Sequence, residues 1–135
     1  LNSSSNGAIA TATPAWWTRD VWETVKKAAE VALPNEVCGL IYTEVYGVAV
    51  HCFEAEATAT SCFAVEQEVI DFAFSLRDAN ASVLATFHSH PLGWPQLSAR
   101  DAGLADWAQL HLLLVPHKEL WEPHWFTIQR AQQTL

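Results

Sequence analysis

Apolar residues recur along the chain with two different periods, and the switches between them outline the fold. Val21, Trp22, Val25, Ala28, Ala29 and Ala32 line one face of a helix over residues 18–33, with Thr18 or Asp20 as N-cap and Pro34 as a stop. Pro34-Asn35-Glu36 then turns the chain into a mostly apolar strand over 37–42, and residues 45–52 follow as its hairpin partner around Tyr46-Gly47. Further β structure is expected over 62–65. Val69, Ile70, Phe72, Ala73, Leu76 and Ala79 restore the helical period over 65–80, which Asn80 closes.

Residues 83–90 form a third apolar, partly β-branched stretch of strand length. Two prolines and a glycine exclude regular structure over 91–97, and Ser98 opens a third helix through roughly residue 109. The remainder reads as a buried strand over 111–115, a turn region over 116–122 and a final strand over 124–130, where Trp125, Thr127 and Gln129 alternate with Phe126 and Ile128. The pattern predicts a single α/β layered domain of about three helices and five or six strands over 16–135.

Composition narrows the possible partners. A chain of 135 residues with 50% hydrophobic content has the material for one core, and seven Trp and six Phe favour folding over disorder. A formal net charge of -8 with only seven Lys+Arg argues against nucleic acid, which selects a basic footprint, and suits a protein partner carrying basic patches. No apolar run is long enough to span a bilayer, so no membrane partner is expected and a cytoplasmic location is. Residues 1–15, rich in Ser, Thr, Asn and Ala without an apolar period, read as a flexible leader. Cys38, Cys52 and Cys62 form no C-x-x-C pair, which indicates neither a disulfide framework nor a cysteine-rich zinc knuckle. Cys38 reads as a buried structural thiol.

The candidate chemistry lies in His88-Ser89-His90-Pro91, followed by Ser98 and Asp101. A strand places residues i and i+2 on one face, so both imidazoles can approach one ion. Two imidazoles and one carboxylate leave the fourth position of a tetrahedral zinc open to water, which separates catalytic from structural zinc and points to hydrolysis. The same residues also admit plainer readings. A His pair at a strand end suits a polar surface, Ser98 and Asp101 fit a helix N-terminus with a cap and a first-turn acid, and Glu36 alone suits a solvated charge before a strand. His51, His111, His117 and His124 are scattered and read as surface or satisfied core. Trp94 suits either a substrate groove or packing over the third helix.

Taken together, Glu36, His88, His90, Ser98 and Asp101 resemble the motif of the JAMM (MPN+, JAB-type) zinc metallopeptidases. Seven residues separate His90 from Ser98 and two separate Ser98 from Asp101, which is the family spacing. Pro34-Asn35-Glu36-Val37-Cys38-Gly39-Leu40 resembles the stretch that presents the family's glutamate, and the order of elements is also similar, from Trp16 to Arg130. The resemblance implies the cytidine-deaminase-like JAB/MPN fold, a three-layer-like domain with a central mixed sheet. It implies that His88, His90 and Asp101 hold Zn2+, that Glu36 serves as general base to the attacking water, and that Ser98 stabilises the oxyanion, an effect of about 3 kcal/mol when preorganised.

The substrate class implied is a protein or peptide with an extended C-terminal tail, of a ubiquitin-like or sulfur-carrier protein, cleaved at a peptide or isopeptide bond. Short segments between the motifs leave no room for the long insertions of polyubiquitin-chain enzymes, which favours a minimal prokaryotic or phage-type member. Two alternatives remain: a virion-associated phage tail-assembly peptidase, and a non-catalytic MPN-type scaffold. A zinc deaminase would need a downstream Pro-Cys-x-x-Cys, which the chain lacks.

Overall fold

The computed structural model describes residues 8–96 and 107–128. Their elements run β1 (Ala8–Ala10), α1 (Arg19–Ala32), β2 (Cys38–Glu44), β3 (Gly47–Cys52), β4 (Ala55–Ala57), β5 (Cys62–Ala64), α2 (Glu66–Asp78), β6 (Val83–Ser89), β7 (Leu110–His117) and β8 (Leu120–Ile128). Six strands form one sheet in the order β1-β8-β7-β6-β2-β3, while β4 and β5 pair as a separate ribbon. The sheet is mixed, as expected: β6 and β7 are parallel and every other pair is antiparallel. The expected third helix, from Ser98, falls largely outside the described residues.

The two helices cover opposite faces of the sheet. Val21, Val25 and Ala29, spaced by four on α1, pack with Ile41, Ala85, Phe87, Leu112, Leu114 and Trp125. Val69 of α2 instead joins Cys38, Leu40, Phe53 and Cys62. Neighbouring strand residues divide between these cores, Leu40 to one and Ile41 to the other, so a strand buried on both faces needs the continuous apolar run seen in β2. Full burial of a side chain such as Val25 contributes about 1.5–3 kcal/mol.

Local chemistry sets the element ends. Thr18 caps α1, accepting a hydrogen bond from Val21 N at 3.4 Å, with Asp20 in the first turn. Asn80, at φ 57°, takes the left-handed position just beyond α2. Between β7 and β8 the turn is only Lys118 and Glu119, both at positive φ (49° and 68°), the backbone of a two-residue hairpin. The sequence pattern predicts a wider turn over 116–122, because neither residue is Gly or Asn and because Pro116 and Pro123 suggest interruption. Both prolines lie within strands, Pro116 opposite Trp121 and Pro123 opposite Leu114. Pro123 is tolerated because β1 pairs with β8 only over 126–128, leaving this part of β8 as an edge.

One expectation needs correction. Ala8–Ala10, inside the stretch read as a flexible leader, form β1, with Ala8, Ile9 and Ala10 opposite Ile128, Thr127 and Phe126. Edge pairing is made by backbone groups, so Ala-Ile-Ala needs no apolar period to form it. Thr11 N continues the pairing to Trp125 O at 2.9 Å. The chain then enters an aromatic cluster in which the Trp16 and Trp17 rings meet Trp125 edge-on at 5.6 and 5.0 Å.

Gly39, on β2, is required by close packing. A Cβ there would collide with the His51 carbonyl oxygen of β3 and lie 2.7 Å from the Phe87 ring of β6. The backbone oxygen cannot move without breaking the β2–β3 ladder. Gly39→Ala is therefore expected to destabilise the domain by about 2 kcal/mol or more. Chemical denaturation is the check, and a midpoint equal to that of the unmodified protein would refute the packing argument.

Candidate active site

The antiparallel register of β2 and β6 assembles the site. Cys38 stands directly opposite His88. Extending that register by two residues brings Glu36 opposite His90, although they are far apart in sequence. Two hydrogen bonds hold the extension: Ser89 N donates to Val37 O at 3.0 Å, and Val37 N donates to the Ser89 hydroxyl oxygen at 2.8 Å. On the other side His90 N donates to Leu114 O at 2.9 Å, continuing the parallel pairing with β7 beyond the end of β6.

Strand alternation then separates structure from chemistry. Ala85 and Phe87 point into the α1 core, which places Thr86, His88 and His90 on the opposite face. Cys38 belongs to the core on that opposite face, and cross-strand partners share a face. Glu36, His88 and His90 are buried, at 5%, 3% and 5% exposure, which excludes the plainer readings of a solvated carboxylate and a surface His pair. Glu36 Oε2 and His90 Nε2 lie 4.0 Å apart, longer than a direct hydrogen bond.

The loop after β6 orients His90. Gly93, at φ 90°, turns the chain and donates its N–H to His90 O at 2.9 Å, which returns the Trp94 carbonyl to the His90 ring. The His90 Nδ1 contact to Trp94 O is 2.8 Å. A carbonyl oxygen only accepts, so Nδ1 carries a proton, and Nε2 is the ring nitrogen on the Glu36 side. This is the outer support a metal-binding imidazole needs. The Trp94 indole, the group the sequence pattern points to, is 62% exposed, and it is the main-chain carbonyl that meets His90, a contact for which Gly93 is the only local signal in the loop.

Glu36 is held from behind by the β4–β5 ribbon, its N–H donating to Thr58 O at 2.8 Å. That support was not legible either, since the strand β4 was not anticipated. The remaining histidines lie elsewhere. His111 is buried, with Nδ1 2.7 Å from the Thr86 hydroxyl, and His124 pairs with Glu122 at 2.9 Å. His51 stacks on Phe72 at 3.9 Å, and this burial pushes its pKa down while Glu68 opposes the shift.

Ser98 and Asp101 lie outside the described residues, and among the described residues no three His, Cys, Asp or Glu side chains form a metal cage. The donor chemistry present nevertheless fits a borderline ion such as zinc. Two imidazoles sit at alternate positions on one strand face, one with its proton fixed on the far nitrogen, beside a buried carboxylate.

Comparison with known proteins bears on the fold and the family. The solution structure of protein DSY2949 from Desulfitobacterium hafniense is similar in fold, with a TM-score of 0.65 and 23% sequence identity over 83% of this chain and 82% of that one. No curated protein matches the chain. The family described as prokaryotic homologues of the JAB domain matches residues 18–130, from the N-cap of α1 to just beyond β8. The chain belongs to the prokaryotic JAB-domain family.

Proposed function

We propose that the protein is a zinc-dependent metallopeptidase that hydrolyses a peptide or isopeptide bond with an activated water. The observation that carries this reading is the buried Glu36 carboxylate 4.0 Å from Nε2 of His90, with His88 on the same strand face. Membership of a family that includes peptidases supports it. Among the described residues no helix is long and apolar enough to cross a membrane.

His88, His90 and Asp101 would hold the metal. Bound zinc supplies Lewis acidity, lowering the pKa of water and polarising the scissile carbonyl. Glu36 takes the proton from the attacking water and returns it to the leaving amine. The Trp94 carbonyl keeps the His90 ring in one orientation and one tautomer throughout. The Ser98 hydroxyl donates to the developing oxyanion. No side chain acts as nucleophile, so no covalent enzyme intermediate forms.

The substrate is the extended C-terminal tail of a ubiquitin-like or sulfur-carrier protein. The net charge of -8 favours a partner with a basic face over a nucleic acid. A cleavage panel of such tails fused to a reporter, with and without a chelator, is the direct test. Chelation is expected to abolish cleavage and added zinc to restore it, whereas cleavage that survives chelation would exclude the metal mechanism.

Two substitutions separate the roles. Glu36→Gln should retain zinc while turnover falls by about 10²-fold or more, since it removes a proton carrier and not a ligand; retained turnover would refute the assignment of the base. His88→Ala or Asp101→Ala should lose both zinc and activity, read by elemental analysis of the purified protein. Stoichiometric zinc in either variant would show that the ligand set is different.

A further inference from the structure

Cys38 and Cys62 meet in the core on the site's side of the sheet. The Cys62 thiol donates to Cys38 Sγ at 2.9 Å, within about an ångström of bonding distance. Neither is in a disulfide, and they belong to different units. Cys38 opens β2, two residues after Glu36 and opposite His88, whereas Cys62 opens β5 of the separate ribbon.

That ribbon is the lightly built part of the site. Its strands are three residues each and, among the described residues, pair only with one another. It is fixed beside Glu36 by the Glu36 N–H to Thr58 O hydrogen bond and by the packing of Cys62, Ala57 and Ala64 on the core that holds Cys38. Cys62 is 8% exposed and Cys38 fully buried, so an oxidant entering as the ribbon opens reaches Cys62 first and finds Cys38 behind it.

We propose that Cys38 and Cys62 are a reversible redox pair whose disulfide clamps the β4–β5 ribbon to β2 beside Glu36. The oxidant is a hydroperoxide. The Cys62 thiolate attacks its O–O bond, giving a sulfenic acid and releasing water from hydrogen peroxide; Cys38 then attacks that sulfur, the S–S bond forms and a second water leaves. The balance is two thiols and one peroxide to one disulfide and two waters, and a dithiol reverses it. The closed ring spans residues 38–62, so the disulfide restricts ribbon opening and keeps the Thr58 carbonyl on Glu36. This holds whatever bond the site cleaves.

The test uses the full chain treated with hydrogen peroxide. The expected product is lighter by about 2 Da, has one titratable thiol in denaturant in place of three, yields a peptide linking Cys38 to Cys62, and reverts with dithiothreitol. Cleavage after the exposed Glu54 and Glu56 by a glutamate-specific protease should slow about tenfold on oxidation. Cys52→Ser should keep the crosslink and Cys62→Ser should lose it; if the latter fails to fold, the peptide map of the unmodified chain decides. Three thiols surviving excess peroxide, or a link through Cys52, would overturn the pairing, and unchanged ribbon cleavage after crosslinking would overturn the clamp.

Discussion

The pairing of Val37 with Ser89 is the constraint on which the rest of the site depends. Main-chain donation from Ser89 to Val37 and the return bond from Val37 to the Ser89 hydroxyl extend the β2–β6 register beyond the last formal strand pair. That extension carries Glu36 to His90. A slip of β6 by one residue would turn both imidazoles to the α1 face, away from Glu36, and drive Phe87 out of its core, because side chains alternate with a period of two. Core packing and site assembly are therefore fixed by the same choice of register. Ser89, fully buried between the two histidines, is the residue that makes the choice locally.

The layers around that register explain how polar groups are kept inside an apolar domain. Leu112, Leu114, Phe87 and Ile41 fill the α1 side completely, so the sheet forms a rigid floor. On the other face polar residues are interspersed with Cys38, Leu40 and Leu113, and those whose partners are defined are hydrogen-bonded: Thr86 to His111, and His90 to the Trp94 carbonyl. Burial without such partners would cost several kcal/mol per group. Orientation is thus supplied by backbone and neighbouring polar groups, and the hydrophobic cores supply rigidity.

Much of the architecture was legible because it is encoded locally. The α1 helix follows from its apolar spacing, the Thr18 cap and the Pro34 stop, and Asn80 marked the end of α2 by tolerating the left-handed conformation. What escaped detection has no local signature. The Lys118-Glu119 turn uses residues that seldom adopt positive φ, and β1 is held by main-chain bonds to β8. The third expected helix, with Ser98 and Asp101, falls outside the described residues.

By itself the sequence brought Glu36, His88 and His90 together as one candidate site, because the residue types and their spacing resemble a family motif. It also determined that His88 and His90 share a face, since strand alternation is a property of the backbone. Only the tertiary structure decided that Glu36 stands across from His90, that Trp94 contributes a carbonyl to the site, and that the β4–β5 ribbon holds Glu36 through Thr58. Those contacts join segments remote in sequence or depend on the exact turn of a loop, and main-chain donors and acceptors are the same for every residue except proline, so no side-chain pattern records them.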